Sequence, residues 1–308
     1  EPMALLLADT PGALEGVEHF TRRMSGAEVN VAIGLTRLGF PVEYLTRLGD
    51  DPFGHYIEQA LKDNGIGTNL LTYDPVYRTG IQLKEYVKDG HDPAAPYYRK
   101  GSAASHLSIR EIDALDLGEI GLVHVTGIPP ALSKEAREAT YRLMERARKA
   151  QIPVTFDPNL RPALWENDEM MRKVLNDLAN YADVVLPGIG ECEILAGTTD
   201  KEKAADFYHQ KGAALVVIKD GKNGAYVSEK KENGETTRDM IPGYPVKKVV
   251  DTVGAGDGFA VGVLSGLLKG LPVSECAKRG NAIGSIQVQH RGDNEGLPTE
   301  EILQSYMA

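Results

Sequence analysis

Cysteine is scarce in this chain of 308 residues, with Cys192 and Cys276 as its only two. They form no Cys-x-x-Cys pair, so we expect neither a zinc site nor a disulfide framework. A reducing compartment suits such a chain, and we expect it to work in the cytoplasm.

Basic charge is also in short supply, because 34 Lys and Arg stand against 44 Asp and Glu for a net charge of −10. Nucleic-acid binders need basic faces that neutralise phosphates, so no nucleic-acid partner is expected. No apolar run reaches membrane-spanning length, so no membrane partner is expected either. The 42% hydrophobic and 25% charged residues are typical of a globular protein.

Apolar strand-like runs alternate with helix-like runs along most of the chain. Strand-like runs occupy Val42–Arg47, Leu122–Thr126, Val154–Phe156, Val184–Leu186 and Ala214–Lys219, and helix-like runs occupy Pro52–Asn64, Ser133–Ala150 and Glu169–Ala179. This alternation predicts an α/β fold with a mainly parallel sheet and helices on both faces. The site is then expected where the strands end.

Two segments break the alternation, about residues 3–22 and 78–100. Both have strand-like patches, turn residues and little helical period, so we predict a small β-sheet that projects over the site as a lid. Lys222–Arg238 is polar and predicts a hairpin. No internal repeat or low-complexity linker is visible, and we interpret residues 1–308 as one domain.

The most informative stretch is Asp251-Thr-Val-Gly-Ala-Gly-Asp-Gly-Phe259, which follows the apolar Val249 and Val250 and opens a helix-like run. Small residues at a helix N-terminus leave several backbone N–H groups free to bind one anion. Asp257 would stand beside that anion as a general base. This pattern suits phosphoryl transfer to an alcohol.

A second stretch lies near the start, Ser25-Gly-Ala-Glu-Val-Asn30, followed by an amphipathic helix that Gly39 would stop. With the 251–259 stretch, it resembles the two signatures of the ribokinase-like (PfkB) carbohydrate kinases. The resemblance covers nearly the whole chain. It implies a three-layer α/β/α domain, a β-sheet lid that doubles as a homo-oligomer surface, and the cofactors ATP and Mg²⁺.

The resemblance also assigns the catalytic loop. Asp257 would be the base, and Gly254, Ala255 and Gly256 would offer N–H groups to the transferring phosphoryl group. Asp251 matches a position near a monovalent cation, or is a turn carboxylate that binds local backbone. Whether K⁺ is a further cofactor stays open.

Metal and nucleotide positions follow in the same way. Glu191 matches the acid of an Asn-x-x-Glu element for Mg²⁺, although Gly188 stands where the Asn would be. The resemblance to the family's ATP-side segments gives these cofactor-binding residues: Lys219, Gly221, Lys222, Gly224, Gly254, Gly256 and Asn281.

Arg99 and Arg161 are expected in one pocket, and two arginines are more than a neutral sugar needs. Because a planar guanidinium matches a carboxylate, this pair indicates a sugar acid as substrate. The Tyr-x-Arg and Asn-x-Arg elements resemble those family members that act on 2-keto-3-deoxygluconate. The substrate-binding residues expected from this resemblance are Gly26, Ala27, Asn30, Tyr86, Tyr97, Arg99, Asn159, Arg161 and Asp293.

The chain starts at Glu1-Pro-Met3, where the resemblance places the end of a buried first strand, so we expect a few residues to precede Glu1. The predicted reaction is ATP-dependent phosphorylation of this sugar acid at its C6 hydroxyl. A neutral-sugar kinase and a non-catalytic sugar-acid sensor stay as alternatives. A nucleoside kinase would want aromatic rings for its base, and 6% aromatic residues favour it little.

Overall fold

The computed structural model describes residues 1–87, 93–231 and 233–308. In chain order, strands β1 to β12 span Met3–Ala8, Phe20–Ser25, Thr46–Gly49, Leu71–Asp74, Ile81–Lys84, Tyr97–Tyr98, Val123–Thr126, Val154–Asp157, Val184–Val185, Leu215–Lys219, Ala225–Lys230 and Thr236–Ile241. Helices α1 to α11 span Ala27–Arg37, Pro52–Asp63, Ile109–Asp113, Pro129–Leu132, Lys134–Lys149, Asp168–Leu178, Ile189–Ala196, Lys201–Gln210, Ala255–Leu268, Val273–Gln287 and Glu300–Met307.

The central sheet has the order β12-β11-β10-β9-β8-β7. Strands β7 to β10 run parallel, β11 pairs antiparallel with β10, and β12 pairs antiparallel with β11 at the edge of the sheet. Side chains alternate between the faces of β10, so Leu215 and Val217 join the core that includes α1 and α9. Val216 and Ile218 join the opposite core, which includes α5 and α6. Helices on both faces confirm the predicted three-layer fold class.

A smaller sheet forms from β2, β1, β5 and β6 in that order. Strand β1 pairs antiparallel with β2 and parallel with β5, and β6 pairs antiparallel with β5. These strands come from the two segments that break the alternation, so the predicted small sheet is confirmed. Residues 88–92 of that prediction lie outside the described residues.

Local signals in the sequence set several helix ends. Helix α5 begins after Ser133, whose hydroxyl accepts a hydrogen bond from the N–H of Ala136 at 2.9 Å. Helix α1 ends at Arg37, and Gly39 follows with φ of +88°, a left-handed conformation that glycine adopts without strain.

The strand predicted at Val42–Arg47 is displaced in the structure. Only Glu43 forms an isolated bridge, to Gly67, and β3 begins at Thr46. Tyr44 is buried, and its N–H donates to the carbonyl of Gly67 at 3.1 Å, so the apolar pattern reports core packing around one parallel bridge rather than a full strand.

The lead-in to the 251–259 stretch is not a strand. Val249 and Val250 are exposed, and the N–H of Val250 donates to the carbonyl of Val288 at the end of α10. The glycine-rich loop is therefore anchored on a helix end rather than on the sheet.

The hairpin predicted at Lys222–Arg238 matches β11 and β12, although its Glu232 lies outside the described residues. Across the described ranges, no helix is long and apolar enough to cross a membrane.

Candidate active site

A cavity of about 620 Å³ lies where β8 and β10 end, between the N-termini of α1 and α9 and beneath the small sheet. It brings together residues predicted from opposite ends of the chain. Those that line it are Gly26, Ala27, Asn30, Tyr97, Arg99, Asn159, Arg161, Glu191, Lys219, Gly254, Gly256, Asp257 and Asp293.

Asp257 lies in the first turn of α9, buried at the floor of the cavity. Its Oδ2 accepts a hydrogen bond from Asn30 Nδ2 at 2.7 Å, and its Oδ1 accepts one from Asn159 Nδ2 at 3.3 Å. Burial raises the pKa of Asp257 to about 7, against the opposing effect of the Asn30 hydrogen bond and with a further increase from the Asp157 carboxylate. A carboxylate with this pKa can accept a proton near neutral pH.

Asn30 is held with its amide NH₂ group toward Asp257. Its Oδ1 accepts a hydrogen bond from Asn294 Nδ2 at 3.1 Å, and Asn294 Nδ2 also donates to the carbonyl of Met24. Asn294 therefore positions Asn30, a role the sequence did not predict because 264 residues separate the two.

Gly254 is the N-cap residue directly before α9 and has the left-handed conformation, with φ of +78°. A Cβ atom there would lie 2.1 Å from the carbonyl oxygen of Asp293, so both backbone angle and space require glycine. The N–H of Ala255 donates to the carbonyl of Thr252, at 3.4 Å. The next two N–H groups, of Gly256 and Asp257, find no acceptor among the described residues. They can bind an anion at the positive end of the helix.

Lys219 ends β10 and reaches toward the same loop. Its Nζ donates to Asp157 Oδ2 at 2.6 Å, and a Cβ atom added to Gly256 would lie 3.8 Å from it. Burial would lower the pKa of Lys219, but the Asp157 and Glu191 carboxylates outweigh it and raise that pKa. The side chain is therefore a fixed cation beside the anion-binding N–H groups.

Glu191 lies in the first turn of α7 and accepts hydrogen bonds from the N–H groups of Gly188 and Leu160, at 2.6 and 2.7 Å. Burial raises its pKa, against the opposing charge of Lys219. No group of three or more His, Cys, Asp or Glu side chains in the described part of the chain could hold a metal alone. The carboxylate of Glu191, with lone pairs to spare, fits an ion such as Mg²⁺, which keeps waters and binds substrate phosphates.

The two arginines differ in their surroundings. Arg161 is exposed, donates to the carbonyl of Leu160, and forms no ion pair with the described carboxylates. Arg99 is buried, and its Nε donates to Glu1 Oε2 at 2.6 Å. Arg161 is therefore the guanidinium that is available to a carboxylate in the cavity.

Asn159 links the strand end to the base. Its φ is +41°, an uncommon value outside glycine, and its N–H donates to Asp157 Oδ1 at 3.1 Å. The resulting turn points the Asn159 amide at Asp257. Asp157 had no predicted role, although its place at the end of a strand could have indicated one.

Several predicted residues do not line the cavity. The guanidinium of Arg291 lies over the ring of Tyr86 at 3.8 Å, and Asp251 pairs with Lys84 at 2.7 Å. Asn281 Nδ2 donates to the carbonyls of Ile241 and Pro242 and so joins α10 to the end of β12. The other members of this set are Ala255, Gly221, Lys222 and Gly224.

The turn between β10 and β11 holds the last three of these positions. Gly221 and Gly224 have φ of +52° and +99°, and a Cβ atom at Gly224 would lie 2.0 Å from the carbonyl oxygen of Ile241. Both glycines thus have a conformational reason to be there, and their contact with a nucleotide stays a prediction.

Two curated relatives match this chain over nearly its whole length. The 2-dehydro-3-deoxygluconokinase of Bacillus subtilis (strain 168) is 46% identical, over 100% of this chain and 94% of the relative. The 2-dehydro-3-deoxygluconokinase of Thermoproteus tenax is 34% identical, over 99% of this chain and 93% of the relative.

Solved structures agree in fold. A PfkB protein from Polaromonas sp. JS666 has a TM-score of 0.90 at 46% identity, with 99% of this chain and 97% of that chain covered. A fructokinase double mutant from Vibrio cholerae O395, solved with fructose, ADP and potassium ion, has a TM-score of 0.85 at 26% identity, with 100% and 96% covered. The family described as pfkB family carbohydrate kinase matches residues 5–300. The chain therefore belongs to the pfkB family of carbohydrate kinases.

Proposed function

We propose that the chain phosphorylates 2-keto-3-deoxy-D-gluconate at its C6 hydroxyl, with ATP as phosphoryl donor, to give 2-keto-3-deoxy-6-phosphogluconate. The observation that carries this substrate is the guanidinium of Arg161, which lines the same cavity as Asp257 and forms an ion pair with none of the described carboxylates. A planar guanidinium binds a carboxylate with two parallel hydrogen bonds, and a neutral sugar offers no such group. The names of the two curated relatives support the same substrate.

Asp257 is the general base in this proposal. Its carboxylate accepts the proton of the C6 hydroxyl while the hydroxyl oxygen forms a bond to the γ-phosphorus of ATP. The bond from that phosphorus to the β,γ-bridging oxygen breaks, and ADP leaves with the electron pair. Asn30 and Asn159 hold both oxygens of the base in place through their amide groups.

The loop at the start of α9 stabilises the charge that moves during transfer. The N–H groups of Gly256 and Asp257 and the ammonium of Lys219 surround one volume of the cavity. Bound with the nucleotide, Mg²⁺ would neutralise phosphate charge. Glu191 would hold water on that ion.

A neutral-sugar kinase is the second candidate, because Glu1 already neutralises Arg99. Only one guanidinium then remains for an acid, and the fructokinase from Vibrio cholerae shares the fold. Glu1 Oε1 is buried without a hydrogen-bond partner among the described residues, so it could accept a bond from a sugar hydroxyl instead.

The test is ADP release with ATP and Mg²⁺, measured in parallel on 2-keto-3-deoxygluconate, its galactonate epimer, fructose, ribose and adenosine. We expect the keto acids to give kcat/KM values at least about tenfold above the neutral substrates, a difference of one charge-assisted hydrogen bond. A preference for fructose or ribose would contradict the acid proposal and keep the kinase. No turnover on any substrate would favour a binding-only sensor.

The homo-oligomer and the cytoplasmic location complete the proposal. Tyr97 and Tyr98 are 46% and 64% exposed on the edge strand β6, and an exposed edge can pair with another copy. Light scattering at several concentrations tests the oligomer, and a monomer throughout would contradict it.

A further inference from the structure

Lys84 is a buried lysine at the end of β5, in the small sheet. Its Nζ lies 2.7 Å from Asp251 Oδ2 and 2.9 Å from Asp293 Oδ1, and the three side chains are between 2% and 7% exposed. Burial would lower the pKa of Lys84, but the two carboxylates raise it. The group is therefore a charged ammonium shared by two buried carboxylates.

The triad of Lys84, Asp251 and Asp293 supports the anion-binding loop that precedes α9. Asp251 Oδ1 accepts the N–H of Val253, and its Oδ2 accepts the N–H of Gly292 at 3.3 Å. The backbone carbonyl of Asp293 packs against Gly254. A positive charge between Asp251 and Asp293 thus holds both loops at the positions that the N–H groups of α9 require.

The sequence left open a monovalent cation at Asp251. The residues present do not fit one, because the ammonium of Lys84 already contacts Asp251 at a distance typical of a charge-assisted hydrogen bond. A potassium ion beside Asp251 would meet this fixed positive charge at close range, in surroundings with little water to screen it.

We propose that Lys84 is a built-in replacement for a monovalent cation, so that phosphoryl transfer by this chain does not depend on K⁺. Lys84 is a positioning residue, since it acts on the anion-binding N–H groups through Asp251 and Asp293. It also ties the small sheet to the catalytic loop, which a diffusible ion would not do.

The first test uses the unaltered protein in KCl and in tetramethylammonium chloride at equal ionic strength. It rests on the kinase activity, and the best substrate of the ADP-release panel serves for it. We expect kcat/KM to agree within about twofold, and the melting temperature within about 1 °C, because no site gains affinity for K⁺ on folding. Activation of tenfold or more by K⁺ would overturn the proposal. The melting measurement needs no substrate, so it is read independently of the proposed reaction.

The second test removes the charge with Lys84→Met. Two buried carboxylates then lack a counter-charge, and we expect a lower melting temperature and a fall in kcat/KM of roughly tenfold or more in tetramethylammonium chloride. Adding K⁺ or NH₄⁺ should recover part of both. The matched control is Lys134→Met, because Lys134 is 86% exposed on α5.

Other outcomes count against the proposal. Unchanged kcat/KM in the Lys84→Met variant would show that the loop needs no cation there. A loss that neither K⁺ nor NH₄⁺ repairs in a folded variant would leave Lys84 as an ordinary structural ion pair. Should the variant fail to fold, the potassium test on the unaltered protein still decides K⁺ dependence.

Discussion

Asp251 and Asp257 stand six residues apart in one loop, both largely buried, yet they face opposite kinds of partner. Asp251 contacts the ammonium of Lys84, whereas Asp257 contacts the neutral amides of Asn30 and Asn159. The ammonium of Lys84 holds the Asp251 side chain in place by charge, whereas burial raises the pKa of Asp257 against the opposing effect of its hydrogen bond with Asn30. Asp251 thus anchors the loop, and Asp257 is the aspartate whose raised pKa suits it to accept a proton.

The largest effect is expected from Asp257→Asn, which removes the base and keeps the shape of the side chain. Turnover should fall by about 10²–10⁴-fold, the range of general-base catalysis, while substrate binding stays close to that of the unaltered protein. Steady-state kinetics and calorimetric binding measure the two. Asp251→Asn is the comparison, since it weakens an anchor without removing the base. A kcat near normal in the Asp257 variant would reject the assignment.

Arg161→Ala comes next, because the guanidinium of Arg161 lines the cavity of Asp257 and forms no ion pair with a described carboxylate. KM for the keto acid should rise by roughly 10–100-fold, the loss of one charge-assisted pair, and KM for fructose should change little. The same change should raise the pKa of Asp257, because the Arg161 charge lowers it. Equal effects on acid and neutral sugar would speak against carboxylate recognition.

A smaller effect concerns pH. Asp257 must lose its proton to act as base, so kcat/KM should rise through about pH 7 and level off above it. Asn30→Ala removes a hydrogen bond that favours the carboxylate, and the midpoint should move to higher pH. A profile measured in both proteins with no rise between pH 6 and about 8 would contradict the raised pKa.

The smallest effect is expected where neither aspartate is touched. A Cβ atom at Gly188 would meet Glu191 Oε2 at 3.5 Å, an ordinary contact, so Gly188→Asn should fold normally. An added amide beside Glu191 should improve the apparent Mg²⁺ affinity by about two- to fivefold, since carbonyl oxygens suit this ion. A Mg²⁺ titration of activity measures it, with Gly190→Asn as control because open space surrounds Gly190. The same change in apparent Mg²⁺ affinity in both variants would point to an effect on helix α7 rather than on metal binding.

The sequence predicted those parts of the molecule that depend on local residue patterns. Alternating runs predicted the parallel sheet, and the small residues from Gly254 to Gly256 predicted the helix N-terminus that the structure shows there. The strand at Val42–Arg47 was misplaced, since burial of Tyr44 produces the same apolar signal as a strand.

The remaining site residues depend on contacts that no local pattern encodes. Lys84 lies 167 residues from Asp251, at the end of a four-residue strand, Ile-Gln-Leu-Lys, whose alternation of apolar and polar residues is ordinary for a strand. Asn294 likewise reaches Asn30 from the far end of the chain. Such pairs form only when the small sheet and the C-terminal loop fold against the same cavity.

The proton on Asp257 has a consequence for the fold as well as for turnover. Between pH about 4 and 7 the folded chain binds a proton at this carboxyl that the unfolded chain has released. The free energy of unfolding therefore decreases as pH rises through this range. Over three units that amounts to on the order of 4 kcal/mol, at 1.36 kcal/mol per unit. Asp257 therefore destabilises the fold most at the pH at which its carboxylate is deprotonated and can act as a base. Replacing Asp257 by a neutral residue should therefore raise the stability of the protein while abolishing turnover of its substrate.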